Sequence, residues 1–275
     1  MIALITRCKN EPYVGEFVNY YLNQGIDHIY ILDDMSKDGT FDKVLNNDKV
    51  TITQHKIESW DKQFVGCQNV YKSIKDIYEW VIVIDMDEYI TAIKNINNTI
   101  KQELETTFKD YDCIKVPWVM MSCNSIKKNP EILLETNIHR WNHDNKHINT
   151  VNNIKKFRCR YDAIEVKCIF KPKFFDSISM HVPISNNKSL KVVDSIYLKE
   201  SINDGFYYNL RENDIKIGYL LCYHYRIISM ESCLKKIRSN LHYNKFKVSD
   251  LLSTDHPEIV DELMKNKSLK QKNLL

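Results

Sequence analysis

Asp85 and Asp87 lie two positions apart, directly after the apolar residues 81–84. That run has the length and β-branched content of a strand buried on both faces, and side chains two apart on an extended backbone leave the same face. Two like charges at the end of an apolar strand are costly to desolvate unless a cation compensates them. The pair is therefore a candidate site for Mg²⁺ or Mn²⁺ shared with substrate phosphates. The alternative is an acidic turn that only caps the strand.

The elements around this pair alternate between strands and helices through residue 90, which predicts a parallel sheet with right-handed crossovers. A polar turn at residues 36–40 is predicted to lead into a further helix. The predicted strands cover residues 1–6, 26–32, 50–55 and 81–84, and the predicted helices cover residues 13–24 and 67–78.

After residue 90 the regular alternation is lost. Residues 137–153 are rich in Asn and His and are predicted to be irregular. The elements predicted in this part are a helix at 99–108, strands at 113–121, 164–170 and 217–225, and helices within 229–275.

In open α/β sheets, ligands bind beyond the carboxyl ends of the strands. The loops at residues 7–11, 33–40 and 85–88 each follow a predicted strand, so we expect them to share one edge of the sheet. This convergence favours a metal–nucleotide site over an acidic cap. The polar residues that the edge would collect are Lys9, Asn10, Glu11, Asp33, Asp34, Asp38, Asp85, Asp87 and Glu88.

The composition limits the remaining classes of function. The 275 residues are 43% hydrophobic, which suits one large domain or one domain with an appendage. The net charge of +3 is spread along the chain, which argues against nucleic-acid binding. The eight cysteines include no C-x-x-C pair and indicate free, mostly buried thiols in a reducing compartment.

No signal peptide is recognisable, and no run reaches the ~18 apolar residues of a transmembrane segment. We therefore expect a cytoplasmic protein or a domain of a longer chain. The heavy use of Asn, Lys and Ile indicates an AT-rich genome, such as that of a bacterium or a virus.

Several segments resemble the family 2-like and family 92-like glycosyltransferases, and together they span residues 2–235. The opening of those families is similar to residues 7–11 (RCKNE), 16–20 (EFVNY), 25–33 (GIDHIYILD) and 36–40 (SKDGT).

Three later motifs extend this resemblance. Residues 85–89 (DMDEY) look like the D-x-D-E-[FY] motif of these families. Lys171 and the proline after it, followed by His181, are similar to their K-x-x-x-x-P … H segment. His224-Tyr225 resembles their late H-Y, which precedes a helix.

The resemblance implies a GT-A fold, which is a Rossmann-like, mostly parallel sheet flanked by helices, with a smaller mixed acceptor half and C-terminal helices. It implies a glycosyltransferase domain at residues 1–228, with a nucleotide-sugar-binding half at 1–90 and an acceptor half at 91–228. Residues 229–275 would form a helical appendage. The implied partners are a nucleotide-sugar donor, Mn²⁺ or Mg²⁺, and a glycan, protein or lipid-linked acceptor.

The resemblance also implies roles for individual residues. Asp87 would bind the metal directly, Asp85 would hold the ribose or reach the metal through water, and His181 would be a third ligand or contact the diphosphate. Glu88 would orient a backbone amide or a basic neighbour, and His224 is a weaker ligand candidate whose alternative role is structural. The donor contacts that it implies are Thr6, Lys9, Asn10, Glu11, Asp33 (alternatively a cap of the next turn), Asp38, Gln68, Asp85 and Lys171.

The acceptor half departs from the family pattern. Trp118 stands where the family shows W-x-x-F-G, but residues 119–124 contain no Gly, and Glu135 is followed by Thr136 rather than Arg. Trp118 would stack on a sugar face or lie in the core. Glu135 would be the base that deprotonates the acceptor hydroxyl. The rival bases are Asp144, Asp162 and Asp176.

These observations predict a metal-dependent, inverting glycosyltransferase of the hexosyltransferase type that uses a UDP-sugar. The first alternative is a nucleotidyltransferase that uses the same metal edge, although the sequence contains no Gly-rich or basic triphosphate loop. The second alternative is a non-catalytic binding module on a glycosyltransferase scaffold, which the altered segment after Trp118 keeps open.

Overall fold

The N-terminal part of the chain builds a parallel sheet. The computed structural model describes residues 1–42, 44–59, 61–151, 154–160, 163–187, 189–239 and 243–272, without the side chains of 148–151, 154–160 and 272. The first elements are β1 (Ile2–Cys8), α1 (Val14–Asn23), β2 (His28–Asp33), β3 (Val50–Gln54), α2 (Val65–Ile74) and β4 (Trp80–Val83). Strand β1 pairs in parallel with both β2 and β4, and β2 pairs in parallel with β3. The predicted parallel α/β arrangement is confirmed.

The remaining elements extend this sheet with mixed pairing. In the described residues one sheet contains twelve strands, and its main path runs β16-β7-β6-β10-β4-β1-β2-β3. The elements are β5 (Glu88–Ala92), α3 (Ile100–Glu105), β6 (Cys113–Ser122), α4 (Leu133–Thr136), β7 (His139–Arg140), β8 (Ile148–Val151), β9 (Ile154–Arg160), β10 (Ala163–Phe170), a 3₁₀ turn (Pro172–Phe174), β11 (Ser177–Ile178), β12 (Pro183–Ile184), β13 (Val192–Asp194), β14 (Phe206–Tyr208), α5 (Glu212–Ile217), β15 (Leu220–His224), α6 (Met230–Ser239), α7 (Val248–Leu252), β16 (Ile259–Val260) and α8 (Leu263–Lys272).

Two expectations differ from the observed structure. The turn at residues 36–40 leads into further turns rather than into a helix, as far as residues 34–42 and 44–49 are described. Gly39 has a φ of 70°, which suits glycine and does not continue a helix. The segment 137–153, predicted to be irregular, contains β7 and β8. Strand β7 forms because it pairs with β6 and β16, and β8 forms because it pairs with β9.

The segment after residue 228, predicted as a helical appendage, is part of the main fold. Strand β16 pairs with β7 at the end of the sheet. Asp261, next to β16, accepts a hydrogen bond at 2.7 Å from Arg140 of β7, whose guanidinium also pairs with Glu212 at 2.8 Å. The pair of Arg140 with Asp261 ties the C-terminal segment to the sheet, and the pair with Glu212 joins β7 to α5.

Helix α1 holds the backbone that follows the Asp85–Asp87 pair. Its apolar face is buried in the core, and Phe17, Tyr20 and Tyr21 pack around Tyr89 of β5. The Tyr21 hydroxyl donates to the Glu88 carbonyl at 2.9 Å, and the Tyr20 hydroxyl donates to the carbonyl of residue 90 at 2.8 Å. The start of β5 is therefore fixed by hydrogen bonds as well as by packing.

The predictions of free cysteines and of no transmembrane segment can be compared with the structure. The seven cysteines whose side chains are described are free and buried. Cys159 lies in β9, among the side chains outside the described set. Within the described residues, no helix combines the length and the apolar character needed to cross a bilayer.

His143 should make the fold sensitive to acid. Its buried Nε2 accepts the Met120 N–H at 3.2 Å, and burial lowers the pKa of His143 from 6.5 to about 3. Because the folded state holds a neutral ring, its stability contribution is present above pH 6.5 and declines towards pH 3. The free energy of unfolding should fall by up to about 1.4 kcal/mol per pH unit in this window.

Urea unfolding at several pH values checks this expectation. His143→Gln keeps an acceptor at this position but cannot gain a proton, so the variant should lose less stability than the wild type on acidification. Parallel pH dependences of the two proteins would contradict the assignment.

Candidate active site

The site lies where the order of the parallel strands reverses. Strands β2 and β4 lie on opposite sides of β1, and such a reversal opens a crevice at the carboxyl ends of the strands. The polar lining of this cleft consists of Thr6, Arg7, Asp85 and Lys167, and apolar side chains of β1, β4 and α2 complete it. The cleft therefore brings together the ends of β1, β4 and β10.

Asp85 is held by two cations. Its Oδ1 accepts from Arg7 Nη2 at 2.9 Å, and its Oδ2 accepts from Lys167 Nζ at 2.9 Å. Burial alone would raise the pKa of Asp85, but the charges of Lys167 and Arg7 hold it well below its usual range. The carboxylate is therefore ionised and fully paired. Arg7 is positioned by Gln63, which accepts from its Nη1 at 2.6 Å, and by the ring of Phe64.

Lys167 is the buried cation at the centre of the site. It lies on β10 with 2% of its side chain exposed, and its ammonium is 3.2 Å from Glu88 and donates to the Met180 carbonyl at 3.1 Å. Glu88 in turn accepts the Asp85 backbone N–H at 2.9 Å. Glu88 thus contacts the two kinds of group considered for it, a backbone amide and a basic neighbour. Burial raises the pKa of Glu88 to about 8.

Asp87 faces a different set of groups. Its Oδ2 accepts from Lys236 Nζ at 2.7 Å, and its Oδ1 lies 3.7 Å from His224 Nε2. Burial lowers the pKa of His224 to about 3, so this ring is neutral at pH 7. Trp118 packs on His224 at 4.2 Å and on His181 at 5.5 Å between ring centroids. Trp118, His181 and His224 therefore form an aromatic group beside Asp87.

The loops after β1 and β2 meet, as expected from their positions. Lys9 pairs with Asp34 at 2.7 Å, and the Asn10 N–H donates to Ser36 Oγ at 2.7 Å. Asp33 accepts the Ser36 N–H at 2.9 Å, which is the turn-capping role considered as its alternative. With the contact of Arg7 to Asp85, these bonds confirm that the three polar loops share one edge of the sheet.

Three further predicted donor contacts lie near this edge. Thr6 is buried in β1 and lines the cleft. Asp38 pairs with Lys235 at 3.2 Å. Glu11 is half-buried, and burial together with the charge of Asp87 raises the pKa of Glu11 to about 7.

Lys171 is not at this edge, and Lys167 takes the place predicted for it. Strand β10 is antiparallel to β4, so Lys167 lies beside the carboxyl end of β4 and Lys171 beside its beginning. The Lys171 ammonium donates to the Lys109 carbonyl at 2.6 Å and lies 4.9 Å from the ring centroid of Trp80. The spacing of the motif K-x-x-x-x-P could have identified Lys167, because it precedes Pro172 by five positions.

Two other cations that contact the aspartates are not singled out by the sequence. Arg7 opens the recognised RCKNE segment, but no role was assigned to it there. Lys236 lies in a helix whose periodicity contains no signal for a contact with Asp87. Gln68, a predicted donor contact, accepts the Ile178 N–H at 2.9 Å and thereby holds the start of β11 near α2.

The candidate bases lie apart from each other. Glu135 is on α4, where it accepts a hydrogen bond from Ser268 of α8 at 3.1 Å. Asp144 accepts the Glu212 N–H at 3.3 Å, Asp176 accepts the Asn186 N–H at 3.1 Å, and Asp162 lies outside the described residues. The assignment of Glu135 as the base stays a prediction.

The predicted metal ligands do not form a cation site. The two oxygens of Asp85 accept from Arg7 and Lys167, Asp87 accepts from Lys236, and His181 lies 3.5 Å from Glu165. Among the described residues, no three His, Cys, Asp or Glu side chains are grouped as ligands of one ion. A divalent ion prefers several oxygen ligands, so this donor set does not fit one. Mn²⁺ or Mg²⁺ stays a prediction from the sequence.

Lys167, within β10, and Lys171, directly after it, provide a matched pair of variants to test the site. Lys167→Met leaves buried Glu88 without a neighbouring cation and Asp85 with Arg7 alone, which should cost about 3–5 kcal/mol of folding free energy. Lys171→Met removes a peripheral contact and should cost less than about 1 kcal/mol. Urea unfolding monitored by circular dichroism measures both. Equal losses would mean that Lys167 does not carry the site's charge balance.

Comparison with known proteins places the chain in a family. The model of Glycosyltransferase family 92 matches residues 10–263, which include Asp85 and Lys167 of the cleft but begin after Thr6 and Arg7. No curated protein is similar enough to count as a relative.

Several solved structures are similar in part. HddC from Yersinia pseudotuberculosis is 12% identical over 78% of this chain and 96% of its own, with a TM-score of 0.38. S. aureus TarS 1–349 is 14% identical over 91% of this chain and 69% of its own, with a TM-score of 0.36. Mannosyl-3-phosphoglycerate synthase from Rubrobacter xylanophilus is 14% identical over 44% of this chain and 40% of its own, with a TM-score of 0.28. TM-scores this low establish no detailed correspondence.

The family match and the parallel sheet agree with the GT-A type of fold predicted from the sequence. Because the family model spans most of the sequence, the chain belongs to glycosyltransferase family 92 and is a glycosyltransferase.

Proposed function

We propose that this glycosyltransferase moves a sugar from a UDP-sugar to an acceptor hydroxyl with inversion at the anomeric carbon. The observation that carries the proposal is the charged cleft at the reversal of strand order, where Arg7, Asp85 and Lys167 meet. Such a crevice is where open α/β sheets bind nucleotides, and it lies beside the polar loops that follow β1 and β2.

The reaction requires two bond changes at the anomeric carbon and one proton transfer from the acceptor hydroxyl. The acceptor oxygen bonds to the anomeric carbon while the bond from that carbon to the β-phosphate oxygen breaks. The hydroxyl proton passes to a base, and the nucleoside diphosphate leaves with an added negative charge. Inversion follows if the attack is in line, with the acceptor and the diphosphate on opposite faces of the sugar.

The residues of the chain divide these tasks between two parts of the site. The loops that contain Asn10 and Asp33 would hold the nucleoside, next to the cleft that receives the diphosphate. Trp118 with His181 and His224 would form the wall beside the transferred sugar, since an aromatic ring offers an apolar face to a pyranose. The acceptor, whether a glycan, a protein or a lipid-linked saccharide, would approach from the half of the chain that contains Glu135.

A screen of nucleotide sugars tests the class of reaction. The protein, with and without Mn²⁺, should slowly hydrolyse one UDP-sugar to UDP and free sugar, because water can replace a missing acceptor. Chromatography of the nucleotide products measures this. Release of pyrophosphate from a nucleoside triphosphate and a sugar phosphate would instead identify a nucleotidyltransferase. Tight UDP binding without turnover on any donor or acceptor would identify a non-catalytic module.

Glu135→Gln tests the base. General-base catalysis contributes about 10²–10⁴-fold, so turnover should fall by that factor while UDP affinity barely changes. Glu131→Gln, an exposed change just before α4, is the matched control and should leave both unchanged. Normal turnover in the Glu135 variant would transfer the role to Asp144, Asp162 or Asp176. Loss of UDP binding would show that donor and acceptor parts are not separated as proposed.

A further inference from the structure

Helix α6 delivers a lysine to the Asp87 carboxylate. Lys236 Nζ donates to Asp87 Oδ2 at 2.7 Å and to the Arg226 carbonyl at 2.7 Å. Only 21% of the Lys236 side chain and 17% of the Asp87 side chain are exposed. Burial alone would lower the pKa of Lys236, but the charge of Asp87 raises it above its usual value, so the ammonium keeps its proton.

This contact is built into the fold rather than made by a free surface side chain. Cys233 of α6 is fully buried in a small core with Ile227, Phe246 and Leu251. At the start of the helix, Ser229 Oγ accepts the N–H of residue 232, and the N–H of Met230 donates to a carbonyl of the loop after β6 at 2.9 Å. The position of the lysine is thus set by packing on both sides of the helix.

The three cations around the carboxylates differ in how many of their N–H donors remain available to a ligand. Lys167 has three oxygen neighbours within 3.2 Å, which matches its three N–H donors. Arg7 is divided between Asp85 and Gln63. Lys236 uses two of its N–H donors on Asp87 and a carbonyl, which leaves the third for an oxygen of a ligand.

The position of Lys236 also conflicts with a divalent ion on Asp87. The ammonium occupies one carboxylate oxygen of Asp87, and the His224 ring stands 3.7 Å from the other. A metal would have to displace a partly buried, charge-assisted pair, and separating one partner from such a pair is costly. Asp85 offers no alternative ligand, since both of its oxygens are paired.

We propose that the Lys236 ammonium performs the task usually given to a divalent cation in this reaction. It compensates Asp87 and donates its third N–H to the β-phosphate of the donor, where negative charge grows as the bond to the anomeric carbon breaks. No proton leaves the lysine in this step, since the acceptor proton goes to the base. Donor binding and sugar transfer then require no divalent metal. The inference rests on the proposed use of a nucleotide-sugar donor.

Calorimetry with UDP tests this proposal. Wild-type protein should bind UDP equally in excess EDTA and in Mn²⁺. Lys236→Met in EDTA should weaken UDP binding about 10- to 100-fold, as expected for losing a hydrogen bond between charged groups. Arg238→Met removes an exposed charge from the same helix and should bind as the wild type does. Loss of wild-type binding in EDTA with recovery in Mn²⁺ would overturn the proposal.

Two further measurements separate this proposal from folding defects and from the proposed function. Asp87→Asn/Lys236→Met keeps the site's net charge, so it should fold yet bind UDP as weakly as the single variant, whereas wild-type affinity would overturn the role of the ammonium. Titration of wild-type protein with Mn²⁺ alone, followed by electron paramagnetic resonance, should show no stoichiometric binding, and a tightly bound ion would overturn the proposal. If the protein bound no nucleoside diphosphate, the proposed donor would be refuted. The Mn²⁺ titration would still show whether Lys236 or a divalent ion compensates Asp87.

Discussion

The carboxylate of Asp85, which is partly buried and paired with Arg7 on one side and Lys167 on the other, is the interaction on which the site depends. Strand β4 is buried along its whole length and ends directly before this charge. An ionised group in such surroundings is stable only with close compensation. The two cations come from β1 and β10, the strands on either side of β4. The order of the sheet and the charge balance of the site therefore require each other.

This coupling explains why register matters in the mixed part of the sheet. Side chains along a strand alternate between faces, so a slip of β10 by one residue would turn Lys167 away from Asp85. The pairing of residue 169 with residue 82 sets the register that brings Lys167 level with the end of β4. The same register leaves Lys171 at the opposite end, where it interacts with Trp80.

Further hydrogen bonds fix the backbone of the turn that contains the two aspartates. Tyr21 holds the Glu88 carbonyl, and Glu88 holds the Asp85 N–H and approaches Lys167. The turn that presents Asp85 and Asp87 is thus bound to α1, to β10 and, through Lys236, to α6. Because these anchors come from distant parts of the sequence, the two carboxylates are oriented differently, one towards the cleft and one towards the aromatic group of Trp118, His181 and His224.

The sequence alone was sufficient to predict the parallel sheet, the shared edge where the polar loops meet, and the protein family. These features depend on local periodicity and on short motifs. It could not identify the partners of the carboxylates. Arg7, Lys167 and Lys236 lie 78, 82 and 149 positions from the aspartates that they contact, and no local pattern encodes such pairs. In the sequence, no basic residue lies next to the two carboxylates, and such a pair suggests two ligands of a metal ion. Only the tertiary structure decides that three side-chain cations already compensate them, because strand order, register and the docking of α6 determine which charges meet.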